Sequence, residues 1–185
     1  MIHKRKSIRL KSYDYSQKGT YFITLCCQDR EHFFGEIHNN NMLLNELGEI
    51  IKEEWENTPL IRTNISLGAY IIMPDHFHAI LQIDHQITNK EDYIPNQFKS
   101  PSQTIGAIIR GFKGATTNRI KRLNSIITGE LRFAPTAPPT APPFPFAPTF
   151  APPSKIWQRN YFEKIIQNQR AYDNITQYII DNPKK

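Results

Sequence analysis

Apolar positions along the chain fall into short runs whose period separates strands from helices. TYFITLCCQ, residues 20–28, is dense in aromatic and β-branched residues and predicts a buried strand. FFGEIHNNNMLLNE predicts a small hairpin with Asn39 to Asn41 as its turn. From Asn45, NELGEIIKEEWENTPL sets Leu47, Ile50, Ile51 and Trp55 at helical spacing, with Pro59 closing the helix. ISLGAYIIMP predicts a second long strand, Pro74-Asp75 a tight turn, and HFHAILQI a third strand antiparallel to the second. SPSQTIGAIIRGFKGATTNRIKRL predicts a helix N-capped by Ser102, with Ile105, Ile108, Ile109, Phe112 and Ile120 as its apolar stripe. KIWQRNYFEKII reads as a strand, and NQRAYDNITQYIIDN as a short helix stopped by Pro183, with Tyr172, Ile175 and Ile179 forming a docking stripe. The order β-α-β-β-α-β with a terminal helix predicts an α+β fold. In it a ferredoxin-like antiparallel sheet carries helices on one face and leaves the other free.

Composition narrows the partners. The 185 residues suit one domain spanning 1–185, with a basic N-terminal arm at 1–18 and the terminal helix in segment 170–183. A net charge of +6 and a pI near 9.3 favour a polyanion. Lys4, Arg5, Lys6 and Arg9 form either a solvated arm or one that contacts phosphates. The same two readings hold for Arg110, Lys113, Arg119, Lys121 and Arg122 on the long helix. Residues 133–154 are an imperfect Ala-Pro repeat, which excludes helix and sheet and reads as a semi-rigid surface-loop insert. The adjacent Cys26 and Cys27 suit neither a zinc knuckle nor an ordinary disulfide, which fits a reducing compartment. The basic N-terminus lacks the apolar stretch of a secretory signal, and no run approaches the roughly 18 apolar residues of a membrane span. A soluble intracellular protein is expected.

The candidate chemistry lies in MPDHFHAIL, residues 73–81. Strand periodicity points His76 and His78 to one face, while Phe77, Ala79, Leu81 and Ile83 face the helices. Two imidazoles side by side are either packed in the sheet or paired on one metal ion. A metal needs a third ligand, and the terminal helix offers Asn182, four residues after Tyr178. The Asn182 amide oxygen would complete the set, with the Tyr178 phenol beside the metal. A phenol, with an ordinary pKa of about 10, is a poor nucleophile until something activates it. A cation on a phosphate oxygen makes the phosphorus easier to attack. The plainer reading of Tyr178 is a half-buried packing aromatic.

MPDHFHAIL, the opening RKSIRLKSYDYSQKGTYFITLCC, the WQRNYFEKII block and the closing ITQYIIDNP together resemble the single-tyrosine HUH transposases. Within that family the chain is most similar to the REP-associated tyrosine transposase branch. The resemblance covers nearly the whole chain except the Ala-Pro insert. It implies a ferredoxin-like or RRM-like fold acting on single-stranded DNA. It implies His76 and His78 as ligands of Mg2+ or Mn2+, Phe77 as the hydrophobic residue between them, and Asn182 as the polar third ligand. Tyr178 would be the nucleophile that forms a 5′-phosphotyrosine and frees a 3′-hydroxyl. The expected partner is a single strand folded into a hairpin, held by the N-terminal arm and the Arg110–Arg122 helix. The protein would act as monomer or homodimer in the cytoplasm, associated with the nucleoid.

Tyr161, flanked by Arg159 that would suit phosphate contact, ranks second as nucleophile, because it lacks a metal ligand at helical spacing. Three other functions fit parts of the pattern. A non-catalytic RRM-like nucleic-acid-binding module would need no histidine pair. A metal-dependent or histidine-nucleophile phosphodiesterase would turn over without a tyrosine adduct. A replication-initiator or relaxase-like nickase shares the tyrosine chemistry but usually needs a larger chain.

Overall fold

The computed structural model describes residues 13–87, 103–127 and 155–184. The Lys4–Arg9 arm, Ser102 and the 133–154 insert lie outside them. The chain runs β1 (Gly19–Cys26), β2 (Gly35–His38), β3 (Asn41–Leu44), α1 (Glu46–Glu56), α2 (Thr58–Ile61), β4 (Ile65–Met73), β5 (His76–Ile83), α3 (Ile105–Ile127), β6 (Phe162–Ile166) and α4 (Gln169–Ile180). Strands β4, β5, β1 and β6 form one sheet in that order, with every neighbouring pair antiparallel. This is the expected α+β, ferredoxin-like sheet, with β5 inserted between the parallel strands of a split β-α-β unit. The β2–β3 hairpin stands apart from it.

Local chemistry accounts for most boundaries. Asn39 and Asn40 both take positive φ, 49° and 61°, the turn conformation that suits a two-residue hairpin loop. The turn is therefore those two residues, and Asn41 already belongs to β3. Asn45 caps α1 by accepting from Gly48 N–H at 3.0 Å. Pro59 does not close that helix: α1 ends at Glu56, and Pro59 sits in the first turn of α2, where a missing N–H costs nothing. Thr104 Oγ1 accepts from Ala107 N–H at 3.2 Å, a side-chain bond at the start of α3.

The residues 155–166 do not make one continuous strand. Trp157 forms an isolated bridge with Cys27, and pairing resumes only at Phe162. Between them the chain turns toward α3, where Lys113 Nζ donates to the carbonyls of Gln158 and Asn160 at 2.9 and 3.0 Å. Those two carbonyls have an ammonium for a partner in place of a ladder.

The main core fills the helical face of the sheet. Tyr21, Ile23 and Leu25 from β1 and Phe77, Ala79, Leu81 and Ile83 from β5 pack against Trp55, Ile108 and Phe112. Every second residue of each strand thus points into one core, as the period requires. The opposite face is not left free. Phe22, Ile80 and Ile166 pack there with Ile179, Tyr172 and Ile175, so α4 covers it. Its apolar stripe is the reason: that parity of β1, β5 and β6 carries an apolar patch of its own, and docking α4 hides both. Both cysteines are free, Cys26 half-buried and Cys27 buried.

Candidate functional site

The outward parity of β1 and β5 turns polar at one end of the sheet. Register sets Thr24 opposite His78 and Cys26 opposite His76. The two imidazoles pack edge-on with ring centroids 4.6 Å apart. Each has its Nδ1 held by a neighbour. Asp75 Oδ1 lies 2.5 Å from His76 Nδ1, and Thr24 Oγ1 lies 2.8 Å from His78 Nδ1. Fixing Nδ1 in this way fixes the ring and directs Nε2 to whatever the histidine serves.

Tyr178 comes to the same place from α4. Asn168 starts that helix, its side chain accepting from Ala171 N–H at 2.9 Å. Eleven residues later the buried Ile179 anchors the far end. Between these points Tyr178 lies with its hydroxyl 3.3 Å from His78 Nε2 and its ring 5.3 Å from the imidazole. Phe22 packs under both, 5.2 Å from His78 and 6.1 Å from Tyr178. The contrast in burial is useful: His78 is 5% exposed, while Tyr178 is 40% exposed and open to a ligand from solvent. Phe162, 44% exposed on the edge strand, lies 6.5 Å from Phe22 and adds an aromatic face nearby.

Asp75 ties this corner together. Burial acts to raise its carboxyl, yet the hydrogen bond and charge of His76 and the Arg30 guanidinium at 3.0 Å hold it below its ordinary value. It therefore remains a carboxylate facing an imidazole, as in the carboxylate–histidine pairs that orient metal ligands.

Among the described residues no three His, Cys, Asp or Glu side chains converge as a metal cluster. A divalent ion at the histidine pair would thus need a ligand of another kind. Asn182 is buried in the turn that follows α4, and that turn packs against β3 and β4. The donor chemistry fits: two imidazole nitrogens with oriented rings, and an amide on the segment that also carries Tyr178.

The other expected site residues lie elsewhere. Tyr161 sits beside Lys113, whose Nζ is 5.8 Å from its ring centroid, on the helical side of the sheet. Arg119 joins Glu53 and Glu54 of α1, so its charge braces α3 against α1. Lys113 is turned inward to the Gln158 and Asn160 carbonyls. Arg110, Lys121, Arg122 and Arg159 are exposed. The sequence reading missed Thr24 and Asp75. Asp75 had a signal, since it directly precedes His76. Thr24 becomes visible only once the β1–β5 register is known.

With this geometry in hand, comparison with known proteins gives two results. The fold is shared with a REP-associated tyrosine transposase solved bound to a REP hairpin, at TM-score 0.53 and 16% identity, over 96% of this chain and 73% of that one. In sequence, an uncharacterized protein of Haemophilus influenzae strain Rd is 36% identical over 189 residues, spanning 98% of this chain and 89% of the relative. The chain belongs to the family of that Haemophilus protein. No family model matches the sequence. No helix among the described residues is long and apolar enough to cross a membrane.

Proposed function

We propose that the protein is a single-tyrosine HUH transposase that cuts and rejoins single-stranded DNA through a covalent bond to Tyr178. The observation that carries this reading is the approach of the Tyr178 hydroxyl to His78 Nε2, 3.3 Å away, from a separate helix. A packing tyrosine would bury its ring, whereas this one keeps its hydroxyl at an oriented histidine pair and its edge in solvent. Fold similarity to a transposase bound to a REP hairpin supports a hairpin-bearing single strand as the substrate.

His76, His78 and Asn182 would hold a divalent ion, Mg2+ or Mn2+. When bound, such an ion polarises a non-bridging phosphate oxygen and makes the phosphorus electrophilic. The Tyr178 oxygen then attacks phosphorus in line. A tyrosine O–P bond forms as the P–O3′ bond breaks, and the proton lost by the phenol ends on the departing 3′-oxygen by way of solvent. The products are a 5′-phosphotyrosine and a free 3′-hydroxyl. Attack by a 3′-hydroxyl on the same phosphorus reverses the step and rejoins strands. Phe162 offers an exposed ring on which an unpaired base can stack beside the reacting phosphate.

The test is incubation with labelled hairpin-flanked single-stranded DNA, with Mn2+ or with EDTA. The expected result is a denaturant-resistant protein–DNA band that needs Mn2+ and is absent in Tyr178→Phe. A band that persists in Tyr178→Phe and disappears in Tyr161→Phe would transfer the role to Tyr161. Retention of DNA binding in EDTA and in His76→Ala, with no covalent band under any condition, would favour a non-catalytic binding module.

A further inference from the structure

A pocket lies on the helical side of the sheet, so the sheet separates it from Tyr178. It is a cavity of about 900 Å3 at the first turns of α3, walled by Tyr13, Tyr15, Arg110, Lys113, Arg159 and Tyr161. Its size lies within the ~300–1,000 Å3 range of sites for whole small molecules, well beyond what a lone phosphate needs.

The wall combines two chemistries. One is cationic. Arg110 and Arg159 are exposed at the cavity, and Lys113 adds charge from within although its protons go to backbone carbonyls. Arg62, at the end of α2, lies near enough to Arg110 for their like charges to interact. The first turn of α3 adds the positive end of a 23-residue helix. The carboxylate in the wall, Asp14, is turned to Ser16 and Gln86. The other chemistry is aromatic. Tyr13 and Tyr15 pack edge-on at 4.9 Å, and Tyr161 faces the same space. Guanidinium groups suit a phosphate, and flat rings suit a base. An acidic peptide would satisfy the first group and leave the second unused.

We propose that this cavity is a second nucleotide site, taking one unpaired deoxynucleotide with its phosphate on Arg110 and Arg159 and its base against Tyr15 and Tyr161. The nucleotide is either free or one unit of a single strand. For the second source a path exists, because Tyr15 also lines a groove that continues past Lys164 of β6 to Asn168 and Ala171 at the start of α4. The site uses none of the residues around Tyr178, so it stands or falls apart from the strand-cutting reaction.

Photocrosslinking with 5-iododeoxyuridine tests it, using the full chain carrying Tyr178→Phe so that no tyrosine–DNA adduct competes. One arm uses the free 5-iododeoxyuridine monophosphate, the other a single-stranded oligonucleotide carrying one such base. The expected crosslinks map by mass spectrometry to Tyr13, Tyr15 or Tyr161. Arg110→Gln and Arg159→Gln should each lower the yield by about tenfold, the loss of a charge-assisted contact. Their melting temperatures should match that of the parent, since both side chains are exposed. Labelling in the first arm identifies a free nucleotide as ligand; labelling in the second alone identifies a strand. Absence of crosslinks in both arms, crosslinks confined to Phe162 and α4, or yields unaffected by both arginine changes would each overturn the proposal. The Mn2+-dependent covalent band reads Tyr178 separately, so either result can fail without the other.

Discussion

Thr24→Val is the most informative single change, because it separates the orientation of His78 from its presence. Valine keeps the shape of threonine and puts a methyl in place of the hydroxyl. That hydroxyl lies 2.8 Å from His78 Nδ1, inside a strand pair whose register sets the two residues face to face. If His78 offers Nε2 to a cation, its Nδ1 must carry the proton and Thr24 must accept it. In Thr24→Val that N–H loses the Thr24 acceptor, on a residue only 5% exposed. Leaving a buried donor unsatisfied costs about 1–3 kcal/mol. The ring can recover part of this by turning, at the expense of the direction of Nε2. Divalent-ion affinity should therefore fall by about 10–100-fold, the usual effect of losing such an orienting partner.

The assay is Mn2+ titration followed by electron paramagnetic resonance, beside the Mn2+ dependence of covalent DNA adduct formation. Both curves should move to higher Mn2+ together, and saturating Mn2+ should restore most of the adduct. Tyr178→Phe supplies the contrast, since it should abolish the adduct while leaving Mn2+ affinity close to that of the parent. An unchanged Mn2+ affinity in Thr24→Val, with adduct formation at its original level, would refute the assignment of His78 as an Nε2 ligand.

Three further outcomes follow from the packing and charge. Gly68→Ala would bring a Cβ to 2.9 Å from Ile80 Cβ and 3.1 Å from the Tyr172 hydroxyl, against the surface where α4 docks. It should destabilise the fold by about 1–3 kcal/mol and speed amide exchange in α4 more than in α3, whereas equal exchange in both helices would count against this docking. Asn168→Ala removes the α4 cap and should cost about 1 kcal/mol in urea unfolding, with adduct formation reduced because the helix that holds Tyr178 frays. Lys113 is pushed down to about 8 by burial from an ordinary 10.5. The folded chain thus releases this proton before the unfolded chain does, and between those two values the unfolded state binds more protons. Stability from this group should rise with pH from about 8 to about 10.5 and be flat below. The gain should stay under about 2 kcal/mol after allowance for partial solvent access. Urea midpoints across that window, steeper in the parent than in Lys113→Met, provide the check.

Much of this architecture was legible because strand period and helix period differ. The division of β5 into Phe77, Ala79, Leu81 and Ile83 on one side and the histidines on the other follows from alternation alone. What alternation does not carry is the partner across the sheet. Thr24 is one of several polar residues on its strand, and only the pairing of β1 with β5 makes it the neighbour of His78. The break at Arg159–Tyr161 was hidden for a related reason. Strand-like residues flank it on both sides, and the local deviation is stabilised by Lys113, some 45 positions earlier in the chain. The cavity was out of reach altogether, since its walls come from three distant segments.

The covering of the second face, by contrast, had a sequence signal that the expectation of a free face overlooked. In TYFITL the residues Tyr21, Phe22 and Ile23 are apolar on both parities, which is the pattern of a strand buried on two sides. On β5, Ile80 repeats it beside Leu81. Set against that apolar parity, Thr24, His76 and His78 are the exception, a polar patch at one end of a face that α4 otherwise seals. The helix closes most of the face with Ile175 and Ile179 and places at the gap a tyrosine, with its hydroxyl toward His78. A fold that needed only a cover could have used leucine there. The polar gap, from β1 and β5, and the hydroxyl that meets it, from α4, are what the proposed site adds to a seam.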